Sequence, residues 1–157
     1  AAQRGLDLAE ATDEEDQLAA ASMIRLLIAR DRIARHQPVA DFAAAALARY
    51  PADHALRLML AEAALDEGKP EAALEPLAAL LSVDFEELHT GRLAFDRRTF
   101  GEAAFLAAAR ACSVLGDREG SARCITTAAK GGDAAAKAWI IARLDGLRRS
   151  QPAKGQI

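Results

Sequence analysis

Few residues in this chain have both the type and the spacing to do chemistry. Glu86-x-x-His89 puts a carboxylate and an imidazole on one helix face, the spacing used in di-iron bundles. Such a site needs a second Glu-x-x-His and two further Glu on facing helices, and only one copy occurs here. A solvated surface pair is the better reading. Asp53-His54 reads as a helix cap followed by a first-turn residue, and His36 stands in a loop with no neighbouring Ser or Cys to activate. Cys112 and Cys124 are the only cysteines and form no CxxC. Lying four residues before and eight after Gly116, they should sit at different heights along an antiparallel helix pair, a poor disulfide geometry. Two buried thiols are expected, which slightly favours a reducing, cytoplasmic setting. The chain contains no GxSxG, P-loop, GxGxxG, HExxH or Cys/His zinc pattern. It reads as a protein with no catalytic residues, no metal and no cofactor.

The elements that carry these residues are helices. The 157 residues are 52% apolar, 27% charged and only 4% aromatic, enough to bury a core and too apolar for a disordered chain. About a quarter of them are Ala, the best helix former, whose small side chain lets helices approach closely. The expectation is an all-α chain with a thin core. No apolar run approaches the roughly 18–20 residues that span a membrane, and no signal peptide is visible. Ala1 in place of Met is what a processed chain or a fragment of a longer protein would show.

Residues 1–89 carry a net charge of −9 and residues 90–157 one of +6, so the two ends could attract different partners, or each other head to tail in a homodimer. The basic side chains Arg92, Arg97, Arg98, Arg110, Arg118, Arg123, Arg148 and Arg149 raise a nucleic-acid reading. They are interleaved with Asp and Glu, and the few aromatics look buried rather than free to stack on bases, so none is expected.

Along the chain, 1–11 is a leader. Thr12-Asp13-Glu14-Glu15 is a capping box that opens a helix running to about Arg35, with Met23, Leu26, Leu27, Ile33 and Ala34 as its buried stripe. Pro38 suits the first position of a second helix ending near Tyr50. Asp53 caps a third helix to Glu67, Gly68 provides a left-handed end, and Pro70 opens a fourth that Pro76 should kink. A short fifth helix follows Asp84. Thr99-Phe100-Gly101-Glu102 is a second capping box for a helix ending near Gly116, and Arg118 to Lys130 and Asp133 to Arg148 complete about eight helices. Residues 150–157 form a tail.

Spacing then suggests how the helices are arranged. Leu26 and Leu60, Pro51 and Phe85, and Phe105 and Trp139 each stand 34 residues apart. With Leu60-Ala61, Ala64, Ala73, Leu77 and Leu80 in 54–87, Val39, Ala43 and Ala46 in 20–53, and Phe105, Ala108-Ala109, Cys112, Ser121, Ile125 and Ala128 in 102–135, the chain resembles the tetratricopeptide repeat (TPR) family. Arg57 and Arg30 depart from its pattern, and residues 88–101 are a 14-residue insertion that breaks the phase. The resemblance implies a short right-handed α-solenoid of antiparallel helix pairs, a helical repeat domain over 12–149 closed by a capping helix at 133–149 with Trp139 turned inward.

It also implies a function. First-helix positions would face a concave groove with an apolar floor and charged edges, formed by Ile24, Ile28, Arg32, Leu58, Glu62, Leu65, Leu106 and Arg110 together with Ala21, Asp31, Ala55, Asp66, Ala103, Ser113 and Val114. The chain is then a protein–protein interaction scaffold whose partner is a protein or peptide, bound as an amphipathic helix or an extended apolar segment. The alternatives are a protein like the three-repeat bacterial secretion chaperones, shielding a client segment, or a helical accessory domain of a larger enzyme. Repeat domains that clamp a carboxylate with Lys and Asn are set aside, because the chain has no Asn and carries Ile24 and Ile28 at those places.

Overall fold

The computed structural model describes residues 15–85, 88 and 96–150, with side chains from Ala21 onward. The leader, the start of the Thr12 capping box, the Glu86/His89 pair, half of the 88–101 insertion (residues 89–95) and residues 151–157 of the tail lie outside the described residues. Among the described residues the protein is all-α, with seven helices and a 3-10 turn at Arg97–Phe100. They are α1 (Glu15–Ala34), α2 (Ala40–Arg49), α3 (His54–Asp66), α4 (Pro70–Leu81), α5 (Glu102–Val114), α6 (Arg118–Lys130) and α7 (Ala134–Ser150). The count is seven rather than about eight, because the short helix expected after Asp84 falls on residues 86–95, of which only Leu88 is described. No helix among the described residues is long and apolar enough to cross a membrane.

Three helices end in the same way. In α3 the Gly68 N–H donates to Leu65 and the Lys69 N–H to Ala64; in α5 the Gly116 N–H donates to Ser113 and the Asp117 N–H to Cys112. This closing pair of bonds needs one residue in the left-handed region, and Gly68 and Gly116 have φ of 71° and 82°. α1 closes identically, His36 to Ile33 and Gln37 to Arg32, with His36 at φ 55°. No turn residue marked that position in the sequence.

The starts divide into two kinds. Asp53, Asp117 and Asp133 accept from the backbone N–H of Leu56, Gly120 and Ala136 at 3.2, 3.1 and 2.7 Å, each satisfying an otherwise orphaned donor. α2 begins at Ala40, two residues after Pro38, and Val39 caps it without a side-chain bond. The capping box expected at Thr99–Glu102 does not form: Thr99 lies inside the 3-10 turn, Asp96 accepts from Arg98 N–H at 2.9 Å instead, and α5 starts after Gly101 with no side-chain cap.

α4 is the centre of the packing, touched by α3, α5 and α7. Leu74, Leu77, Leu80 and Leu81 of α4 bury against Phe105 and Ala108 of α5, Phe100 of the 3-10 turn, and Ile140 and Leu144 of α7. The last helix, α7, lies more on α4 than on its chain neighbour α6. Trp139 is partly buried against this core, with the Arg123 guanidinium 4.3 Å above its ring. Cys112 and Cys124 are both buried and free, and their thiols lie close enough across α5 and α6 to influence each other's ionisation. The contact pushes the Cys124 thiol far up. Gly120 permits this approach, since a Cβ there would meet the Cys112 Sγ at 3.1 Å.

α1 departs most from the sequence reading. Its inward stripe is Ala21, Arg25 and Ala29, whereas Met23, Leu27 and Ile33 of the expected stripe are exposed at 59%, 54% and 39%. The reason is Arg25, which is 2% exposed and donates from Nε to Asp53 Oδ2 at 2.9 Å while its guanidinium stacks 4.4 Å over Tyr50. At about 100° per residue, turning Arg25 inward puts positions two before and two after it on the opposite face. Met23 and Leu27 are those positions.

Candidate functional site

α3 and α5 run beside each other and leave a cleft between their exposed faces. Ala55, Leu58 and Glu62 of α3 share one helix face by their three- and four-residue spacing. Ala103 and Leu106 of α5 meet them across a cavity of about 360 Å³. Each of Ala103 and Leu106 stands 48 positions after Ala55 and Leu58, one 34-residue period plus the 14-residue insertion. Leu58 packs its inner side against the core, and Leu106 is 47% exposed. Leu26 and Arg30 of α1 close one side, and Asp96, Arg98, Thr99 and Glu102 close another. Beyond Leu106 a second hollow of about 320 Å³ continues along α5 past Arg110, Ser113 and Val114 to Ile125 of α6. Val114 and Ile125 are 61% and 53% exposed, so apolar surface persists along this course. Ile125, which the repeat-like spacing grouped with the other apolar positions, is thus exposed; the buried positions of α6 are Gly120, Cys124 and Thr127.

The charges around the cleft are mostly engaged. Arg98 Nε donates to Glu102 Oε2 at 3.2 Å, and the Asp96 carboxylate caps the 3-10 turn. One turn further along, Arg110 and Asp66 form an ion pair at 2.7 Å. Glu62 and Arg30 make no ion pair among the described residues. The Glu62 carboxyl holds its proton more tightly than usual: the cleft walls strip part of its water and Asp66 repels its charge, which Arg110 and then Arg30 only partly offset.

Compared with protein-family models, with curated proteins and with solved structures, the chain finds no match.

The floor expected from the sequence is therefore divided. Leu58, Glu62 and Leu106 lie together on the cleft, and Arg110 on the adjoining hollow. Leu65 does not; it is 6% exposed and belongs to the core with Leu74 and Leu77. Ile24 and Ile28 pack, with Phe42 of α2, around the buried Ala21, and the Arg32 guanidinium sits 4.8 Å over the Phe42 ring. Leu26 and Arg30, two positions along from Ile24 and Ile28, reach the cleft in their place. The same rotation of α1 accounts for both changes. Its signal was present as the Ala21, Arg25, Ala29 stripe, where one charge flanked by two small residues at helical spacing marks a helix face that admits a close neighbour.

Among the described residues no three of His, Cys, Asp and Glu gather closely enough to hold a metal ion. His54 is buried edge-on to Phe100 with ring centroids 5.1 Å apart, and burial followed by the Arg57 charge lowers its pKa. What the cleft can do physically is remove an apolar side chain from water between Leu58 and Leu106, at roughly 1.5–3 kcal/mol for a fully buried Leu or Phe.

Proposed function

We propose that this protein is an interaction scaffold that binds a polypeptide segment of a partner in the cleft between α3 and α5. The observation that carries the reading is the shared open face: Leu58 and Leu106 occupy equivalent positions on two successive first helices and remain accessible above a well-packed core. An extended or helical segment places side chains at regular intervals, and two adjoining hollows that share Leu106 suit such an occupant.

In this reading the fold is a short right-handed α-solenoid of TPR-like pairs, α1/α2, α3/α4 and α5/α6, closed by α7. Support comes from the identical ends of α1, α3 and α5 at His36, Gly68 and Gly116. The departures are the rotated α1, the outward Ile125 and the seat of α7 on α4. That seat suits a terminal cap, because the last helix then covers apolar surface rather than offering it to a further repeat.

A random 12-residue peptide library displayed on phage and selected on the immobilised protein tests the function. Wild type should enrich peptides with apolar anchors, and Leu106→Asp should lose them while Met23→Asp keeps them. Enriched peptides that bind Leu106→Asp undiminished would remove the cleft from the account.

A further inference from the structure

Within the binding reading just given, on which this inference rests, the cleft has a feature that an apolar groove alone does not require. Glu62 lies one helical turn from Leu58 on the same face of α3, so its carboxylate stands beside the place where an apolar anchor would enter. The other carboxylates in reach are committed: Glu102 to Arg98, Asp66 to Arg110, and Asp96 to the 3-10 turn.

We propose that the cleft selects a segment carrying a cationic side chain, Lys or Arg, within about one helical turn of its apolar anchor, the anchor resting between Leu58 and Leu106 and the cation on Glu62.

The surroundings of Glu62 favour a cation over an anion. Lost hydration and Asp66 both disfavour its negative charge, and the positive charges facing it, Arg110 from α5 and Arg30 from α1, leave it under-compensated. An arriving ammonium or guanidinium supplies the missing compensation through a charge-assisted hydrogen bond to the exposed Glu62 carboxylate at the cleft edge. Arg30 in turn disfavours a second cation at the α1 side, which limits the selected segment to one basic residue at this point. The pH dependence has a definite sign. The cation binds ionised Glu62 and lowers its pKa in the complex, so affinity is full above the raised pKa of the free protein and falls as pH drops through it.

The same displayed library, selected in parallel on wild type and on Glu62→Lys, provides the test. Wild-type binders should be enriched in Lys or Arg within four residues of a Leu, Ile, Met or Phe. Glu62→Lys should reverse the enrichment to Asp or Glu at those spacings, and synthetic peptides from the wild-type pool should lose at least tenfold in affinity for it. Binders that depend on Leu106 but show no basic enrichment, or that keep their affinity for Glu62→Lys, overturn the cation-selecting role while leaving the cleft as the binding site. Selection that yields no Leu106-dependent binder overturns both.

Discussion

α1 and α2, and the helices from α4 to α7, use opposite materials for the same task. In the C-terminal region large apolar side chains meet, with Phe100, Phe105, Leu74, Leu77, Ile140 and Leu144 each at most 1% exposed. In the N-terminal pair the fully buried residues are Ala21, Ala29, Val39 and Ala43, and the large apolar side chains of α1 stand partly or wholly outside. What holds α1 down is a charge. Both regions pair an arginine with a helix-capping aspartate, but the settings differ: Arg25 and Asp53 are 3% and 2% exposed at their side chains, while Arg143, bonded twice to Asp117 at 2.6 and 2.7 Å, is 42% exposed. A region held by dispersion and dehydration of large side chains tolerates the loss of one charge. A region in which the inward face of α1 offers only small residues beside a buried guanidinium does not.

The contrast breaks most visibly through its anchors. Removing Arg25 leaves the Asp53 carboxylate buried without its counter-charge, so Arg25→Ala should cost about 3–5 kcal/mol in denaturant unfolding. Arg143→Ala removes a guanidinium that is itself 42% exposed, so water can take its place beside Asp117, whose cap bond to Gly120 stays intact, and it should cost clearly less. Equal losses would mean the two pairs do the same job. Phe105→Ala opens a cavity in the C-terminal core and should likewise cost about 3–5 kcal/mol, whereas Met23→Ala should stay within about 0.5 kcal/mol, since Met23 is exposed. A large loss at Met23 would show that its face is covered in solution.

A smaller effect sharpens the comparison at the helix ends. His36 adopts the left-handed conformation that Gly68 and Gly116 adopt without strain. His36→Gly should therefore stabilise the α1–α2 turn by about 1 kcal/mol, read as a raised denaturation midpoint, while Gly68→Ala should do the reverse. An unchanged midpoint for His36→Gly would show that the turn carries no strain.

The same contrast explains what was legible in the sequence. α3 and α6 were readable almost to the residue, and α4 at its start, because Asp53, Gly68 and Pro70 are local signals acting on their own neighbours. The apolar stripe of α1 was misplaced because the partner that turns it, Asp53, lies 28 positions away and was visible only as a cap. The Thr99 capping box failed for a local reason: Asp96 caps a 3-10 turn over Arg97–Phe100 that holds Thr99 inside it rather than before the helix. At the cleft, Leu58, Glu62 and Leu106 were named only through the resemblance to a repeat family and do line one cavity, while Arg30 and Leu26 depended on a rotation of α1 that the resemblance does not contain.

The central claim is that the face shared by α3 and α5 is open and receives a partner. Mapping the strongest library-selected peptide onto the ¹⁵N-labelled protein by backbone amide chemical shifts tests it directly. The account predicts that the largest shifts gather at Ala55, Leu58, Glu62, Ala103 and Leu106, with residues around Met23 and Ile140 little changed. Shifts concentrated instead along Met23 and Leu27, or spread evenly through the core, would contradict it.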